Sequence, residues 1–311
     1  MLIQSVFKPV NILLSFWFIF GLSSSLLAGP CDKATELNYQ AYESFRQGFP
    51  VSRAKSLLKQ ALRLCPKHAE TYNNLAELFS EEGNDTQAIA HYRQALEINP
   101  NLSTAWYGLG ETYYKQNQFP LSLEAHLEAC QTDKDSRKRV IELLKNNRYA
   151  VTEAGEIIKK ESLLVLYDKQ RRQNLNRLIA GCGLKAVAGS VTNTHVFRNF
   201  HFDSSKASLQ SGSESQLQEI AGTLRVLYER VVHIHGHTDS EVFTNMSIAE
   251  SDRRNWELSY ARANTIAGAL NEQGVSITRI QIHAHGYSDP VEQGNHSAAL
   301  AKNRRVEIEV D

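Results

Sequence analysis

Through the first half of the chain, apolar positions recur every three or four residues; in the last third they alternate with polar ones. The switch predicts helices first and a sheet afterwards. Between Thr35 and Lys134 the helical pattern repeats with a period of 34 residues. Ala54, Ala88 and Ser122 fall in register, as do Ala61, Ala95 and Ala129, and Pro66 and Pro100 end two of the units. The middle unit carries Tyr72, Leu75, Ala76, Phe79 and Tyr92, and the third carries Trp106, Leu109, Gly110 and Tyr113. Small residues suit close helix crossings, large apolar ones fill the groove, and proline stops the second helix of each hairpin. From Val196 onward, HVFRNFHF, VVHIHGHT, RIQIHAHGYS and RRVEIEV read as strands. SESQLQEIAGTLRVLYER and WELSYARANTIAGALNEQG read as the helices between them. Val232, Ile234, Ile282, Val306, Ile308 and Val310 are expected to face those helices. His233, His235, His283, Arg305, Glu307 and Glu309 are expected on the opposite face of a sheet covered on one side only.

The repeated hairpins resemble the tetratricopeptide repeat, which implies an all-α solenoid with a partner-binding concave face lined by the first helix of each unit. Ser136–Asn146 is expected to cap its end. Glu43, Glu77 and Glu111 occupy one in-register position there. They read either as a solvated helix surface or as an acidic dock for a basic segment of a partner protein. In the first hairpin the start of one helix lies beside the end of the other, where Cys31 and Cys65 stand. A bridge between them closes a loop worth on the order of 3–4 kcal/mol. Cys130 and Cys182 are the remaining candidates for a second bridge.

In the last third, HIHGHTD (233–239), NWELSYARA (255–263) and NRRVEIEV (303–310) follow in order. Together they resemble the peptidoglycan-binding domain of the OmpA-like family, over roughly Val196 to Asp311. The resemblance implies an α/β domain of βαβ units with a mixed sheet. It also implies a site for the diaminopimelate of the peptidoglycan stem peptide, whose side chain ends in an ammonium and a carboxylate on one carbon. By this likeness Asp239 takes the ammonium and Arg262 the carboxylate, since a guanidinium fork donates two parallel hydrogen bonds. Asn255, Leu258 and Ser259 match the surrounding motif, with Asn303 and Arg304 beside the site. Arg262 is expected early in its helix, so that amides of the first turn add donors. The long loop between Asp239 and Asn255 resembles the MotB branch of the family. Phe202 and Asp203 keep the family pattern at the first strand, but Ser205 stands where many relatives carry Asp or Asn.

Lys8, the apolar run Ile12–Leu22 and the small residues before Pro30 read as a secretory signal, with an uncleaved anchor as the alternative. Pro30 disfavours lipidation of Cys31, and four cysteines suit an oxidising compartment. The 34 basic and 34 acidic residues balance, and no basic stripe points to nucleic acid. His233, His235 and His237, with His283 and His285, could approach a transition metal. No carboxylate or cysteine stands at a third-ligand spacing, so neither metal nor other cofactor is expected.

The expected organisation is a signal over 1–29, repeats over 31–146, a helical linker over 147–190 and the OmpA-like domain over 191–311. The expected function is a non-catalytic periplasmic adaptor of a Gram-negative envelope. It holds peptidoglycan with one domain and an unidentified protein with the other, in association with the outer membrane. The alternatives are a membrane-anchored MotB-like stator component and a metal-dependent hydrolase built on the histidine run.

Overall fold

The structure is a computed structural model describing residues 29–184, 190–200, 202, 207–209, 212–243 and 245–311. The apolar stretch read as a secretory signal lies outside these residues, as do Asp203 and Ser205. No helix among the described residues is long and apolar enough to cross a membrane. The chain forms two compact units. One runs through Thr112 and takes in Glu128–Arg137; the other comprises Tyr113–Leu127 and Lys138–Asp311.

Helical hairpins pair α1 (Pro30–Arg46) with α2 (Val51–Leu64) and α3 (Ala69–Glu81) with α4 (Asp85–Ile98), and α5 (Ser103–Lys115) and α6 (Phe119–Ala129) come next. They are followed by α7 (Lys134–Leu144). Gly48 and Gly83 supply the positive φ with which α1 and α3 end. The Asn84 side chain caps α4 by accepting from Gln87 N at 3.3 Å. Alanines at the predicted crossings are fully buried: Ala54, Ala61, Ala88 and Ala95 are at most 1% exposed. Ala41, Ala54, Leu58, Leu75 and Leu78 form one core cluster. Gly108 lies against Tyr92, whose ring would stand 2.3 Å from a Cβ there and would have to move to admit one. Cys31 and Cys65 are bridged, with Cα atoms 4.9 Å apart. Cys130 and Cys182 are also disulfide-bonded, and no described cysteine is free.

The second unit is built on a five-stranded mixed sheet in the order β1-β2-β5-β3-β4. Its strands are β1 (Val151–Thr152), β2 (Thr194–Phe197), β3 (Val232–Gly236), β4 (Ile280–Ala284) and β5 (Val306–Val310). β1 runs parallel to β2 and β3 to β4, while β5 is antiparallel to both β2 and β3. The helices are α8 (Lys160–Tyr167), α9 (Lys169–Gly181), α10 (Glu214–Val226), α11 (Ile248–Glu272) and α12 (Ser297–Asn303).

The alternation resolves as the pattern predicts on β3 and β5, but not on β4, where Ile282 is only partly buried. Val232, Ile234, Val306, Ile308 and Val310 are at most 1% exposed, as are Ala263, Ile266 and Leu270 of α11. The stretch read as a linker contributes more than a connection, since it supplies β1, α8 and α9. Leu163 and Leu166 of α8 are fully buried, and Tyr167 donates through its hydroxyl to Ile308 O at 3.0 Å. His195 lies on the core face of β2 and pairs through Nε2 with Thr152 Oγ1 at 2.8 Å. Burial pushes its pKa down to about 3, so it packs as a neutral ring.

Candidate functional site

At Gly236 the backbone of β3 meets α11 so closely that a Cβ would lie 2.1 Å from Ser259 O. Only glycine allows this approach. It brings the chain beyond β3 against the middle of α11. His237 N then donates to Arg305 O at 3.1 Å and Thr238 N to Gly286 O at 2.7 Å, which fixes the backbone leading into Asp239.

Asp239 is 9% exposed. Its Oδ1 accepts from Glu241 N at 3.1 Å, and its Oδ2 accepts from Arg304 Nη1 at 2.6 Å. Arg262, 6% exposed, holds its guanidinium carbon 5.1 Å from the centre of the Phe202 ring. Burial lowers the Arg262 pKa, Asp239 opposes that shift, and Arg304 adds to it. Two acids, Asp239 and Glu241, and two guanidiniums, those of Arg262 and Arg304, thus line a cavity of about 510 Å³. Val242, Phe243 and Leu258 give that cavity apolar wall, and Thr238 and Asn255 also line it. The Thr238 hydroxyl is buried without a hydrogen-bond partner. Such a pocket suits a short aliphatic chain ending in opposite charges.

Of the residues expected here, Asp239, Arg262, Asn255, Leu258 and Arg304 share the cavity. Ser259 and Asn303 do not line it and support it from behind. Ser259 Oγ accepts from Gly286 N at 3.0 Å and donates to Trp256 O at 2.8 Å. Asn303 Oδ1 accepts from Val291 N at 2.9 Å, and its Nδ2 donates to Glu292 O at 2.9 Å. The expectation that Arg262 lies early in its helix is corrected. α11 begins at Ile248, capped by the Ser247 side chain with Glu250 closing the reciprocal bond. The first-turn amides are therefore not at Arg262 to donate to its ligand. Asn255 lies inside α11, where its Nδ2 donates to Glu241 O at 3.4 Å and holds the loop. The Ser-x-x-Glu signature at 247–250 is the signal that locates this start. Val242 and Phe243, from the loop left without a role, are the wall residues that sequence reasoning missed.

The other face of the sheet carries a ladder of imidazoles. His233 Nδ1 lies 3.0 Å from His283 Nε2, and His235 Nδ1 lies 3.0 Å from His285 Nε2. His237 stacks on His285 with ring centres 4.6 Å apart. Carboxylates of β5 and the C-terminal residue flank the ladder. Asp311 Oδ2 is 3.0 Å from His233 Nε2, while Glu309 and Glu307 approach His235 and His237 at 3.8 and 3.7 Å. Burial, then His283, lowers the His235 pKa to about 4; burial, then Arg305, lowers that of His237 to about 2. Among the described residues, no group of three or more His, Cys, Asp or Glu is arranged to hold a metal ion.

In the repeats, Glu43, Glu77 and Glu111 do not form a row of free carboxylates. Glu43 accepts from Arg46 Nη2 at 2.8 Å, and that bond lowers its pKa. Glu77 is partly exposed as a residue, but its carboxyl is not. Asn73 Nδ2 donates to its Oε1 at 2.9 Å and its Oε2 is buried without a hydrogen-bond partner. Burial pushes its pKa up to about 8, so Glu77 is mostly uncharged at neutral pH. Glu111 is partly buried on α5.

Residues 201–304 match the OmpA family. Residues 57–90 match the tetratricopeptide repeat and 78–117 the TPR repeat. The chain carries tetratricopeptide repeats followed by an OmpA-like domain. It is 34% identical over 110 residues to the "Probable lipoprotein YiaD" of Escherichia coli K12, covering 35% of this chain and 47% of that protein. It is 29% identical over 131 residues to the "Peptidoglycan-associated lipoprotein" of Pseudomonas aeruginosa, covering 41% and 73%. To "Motility protein B" of Bacillus subtilis it is 34% identical over 110 residues, covering 34% and 40%. The chain thus spans less than half the length of YiaD and of Motility protein B.

Proposed function

We propose that this protein is a non-catalytic adaptor of the bacterial envelope. Its OmpA-like domain binds the diaminopimelate of peptidoglycan stem peptides, and its repeats hold a partner protein in the periplasm. The observation that carries the reading is the ion pair of Asp239 with Arg304, in one cavity with Arg262 and the apolar side chains of Val242, Phe243 and Leu258. Asp239 takes the ammonium of the ligand, Arg262 and Arg304 take its carboxylate, and Leu258 and Phe243 pack on the methylenes between. In this mechanism the ligand's ammonium replaces the Arg304 guanidinium on Asp239 and frees it for the ligand's carboxylate. The pocket therefore exchanges one ion pair for two, and no bond is made or broken.

The family match over 201–304 and the name of the Pseudomonas relative support peptidoglycan as the polymer. Repeated sites on that polymer let a modest single-site affinity hold the protein by avidity.

The test is co-sedimentation of the full chain with purified diaminopimelate-type peptidoglycan, beside Asp239→Ala and Arg262→Ala. The parent is expected in the pellet and both variants in the supernatant, with unchanged circular dichroism. A parent that stays in the supernatant overturns the reading.

A further inference from the structure

A second cavity, of about 400 Å³, adjoins the first and shares Phe202, Arg262 and Arg304 with it. Its lining adds Arg198, Lys302 and Arg305, against the single acid Glu153. Most of these cations are committed elsewhere. Lys302 pairs with Glu292, and Arg305 donates from Nε to Glu307 at 2.5 Å and from Nη2 to Asp289 O at 3.1 Å.

Arg198 differs. Its backbone is fixed where β2 ends, through Arg198 N donating to Thr152 O at 2.9 Å. Its Nη1 donates to Glu153 Oε1 at 2.5 Å, but its Nε is buried with no hydrogen-bond partner. His237 lines the same cavity at 2% exposure, and neither of its ring nitrogens has a hydrogen-bond partner. A neutral imidazole presents one N–H, so two donors without acceptors lie, sealed from water, on side chains that line one cationic cavity. Unsatisfied buried donors are rare because each has given up water for nothing. An anion drawn in by the surrounding guanidiniums satisfies both once these side chains turn toward it.

We infer that this cavity is a second subsite of the peptidoglycan pocket, in which Arg198 and His237 receive another carboxylate of the same stem peptide. The inference rests on the diaminopimelate reading above. Two sources share this chemistry: the α-carboxylate of the neighbouring D-glutamate and the second carboxylate of diaminopimelate itself. Arg262 and Arg304, standing in both cavities, are the wall across which the ligand lies.

The experiment is calorimetric titration of the full chain with L-alanyl-γ-D-glutamyl-meso-diaminopimelate and with its two monoamides, one at each candidate carboxylate. One monoamide is expected to bind the parent about tenfold more weakly, the scale of a lost charge-assisted hydrogen bond. In Arg198→Gln the unmodified tripeptide falls to that level, and the same amidation costs nothing further. Glu153→Gln removes the same ion pair but keeps the guanidinium, and is expected to bind as tightly as the parent or more so. Asp239→Ala is expected to lose all three ligands.

Equal binding of both monoamides and the tripeptide by the parent overturns the subsite and leaves the main pocket standing. So do losses from amidation and from Arg198→Gln that simply add, or equal weakening by Glu153→Gln and Arg198→Gln. A parent that binds none of the three overturns the diaminopimelate reading, and the subsite with it.

Discussion

Glu77 of the repeat unit is an acid whose carboxyl is held away from water; His195, His235 and His237 of the sheet unit are bases largely held away from it. Glu77 sits among helices with its carboxyl pushed up to about 8, whereas His195, His235 and His237 sit in or on the sheet at about 3, 4 and 2. In both units burial is the first cause and disfavours the charged form, so an acid stays protonated and a base stays neutral. One physical effect thus gives two regions of one chain opposite responses to pH. The units differ in the same way in what enforces close packing. At Gly236 the obstacle is a backbone carbonyl, and at Gly108 it is a tyrosine ring.

The sharpest way to break the comparison is at those glycines. Gly236→Ala is expected to destabilise the sheet unit by about 3 kcal/mol or more, because neither β3 nor α11 can yield its backbone. Hydrogen exchange on the full chain, read segment by segment, should show faster exchange in β3, β4 and α11. Little change there would mean that the two elements shift apart freely.

Next in size is the Cys31–Cys65 bridge. Cys31→Ser with Cys65→Ser is expected to lower the stability of α1 and α2 by on the order of 3 kcal/mol, with the sheet unit unaffected in the same exchange measurement.

The pH responses come third, and their signs can be worked out. Glu77 has a folded pKa above its unfolded one, so folding takes up a proton; its stabilising effect is complete below about pH 4.5 and is lost as pH rises toward 8. His235 and His237 have folded pKa values below the unfolded one, so their contribution is complete above about pH 6.5 and is lost as pH falls toward 4 and below. Between pH 6.5 and 5, acidification should therefore raise the protection of α3 and lower that of β3, each measured relative to the intrinsic exchange rate at the same pH. Glu77→Gln should abolish the first trend, raising the stability of the repeat unit at pH 8 by on the order of 2 kcal/mol. Parallel trends in the two units would refute the contrast.

Smallest is Gly108→Ala, expected to cost about 1 kcal/mol, since the Tyr92 ring can swing aside. A cost equal to that at Gly236 would show the ring to be as immovable as the main chain.

The two regions also differ in how legible they are in sequence. In the repeats, position decides role: the period of 34 residues places Ala54, Ala88 and Ala95 at crossings, and all three are buried there. Helical hairpins bury their faces against sequence neighbours, so local pattern carries the information. Even so, the period could not show that Glu77, in register with the better solvated Glu43, has its carboxyl sealed. That depends on how Asn73 and the next helices fill the space around one oxygen.

In the sheet unit, alternation gave the two faces of β3 and β5 correctly, and the ordered motifs brought Asp239, Arg262, Asn255, Leu258 and Arg304 to one cavity. Ser259 and Asn303 belong to the same motifs yet hold turns, because a motif marks what a fold needs without separating contact from support. The start of α11 was written at Ser247 and Glu250, but in a loop whose length drew attention elsewhere.

From the sequence alone come the two-part architecture and the polar and apolar faces of the sheet, because periodicity is a local property of the chain; Asp239 and Arg262 come from the likeness of its ordered motifs to the OmpA-like family. Only the tertiary structure decided that Arg304 donates at 2.6 Å to Asp239 Oδ2, and that β1 joins the sheet from a stretch read as helical. It alone placed the unsatisfied donors of Arg198 and His237 in one cavity. Those facts depend on segments separated by tens of residues filling the same few ångströms, and on which polar atoms are left without water when they do.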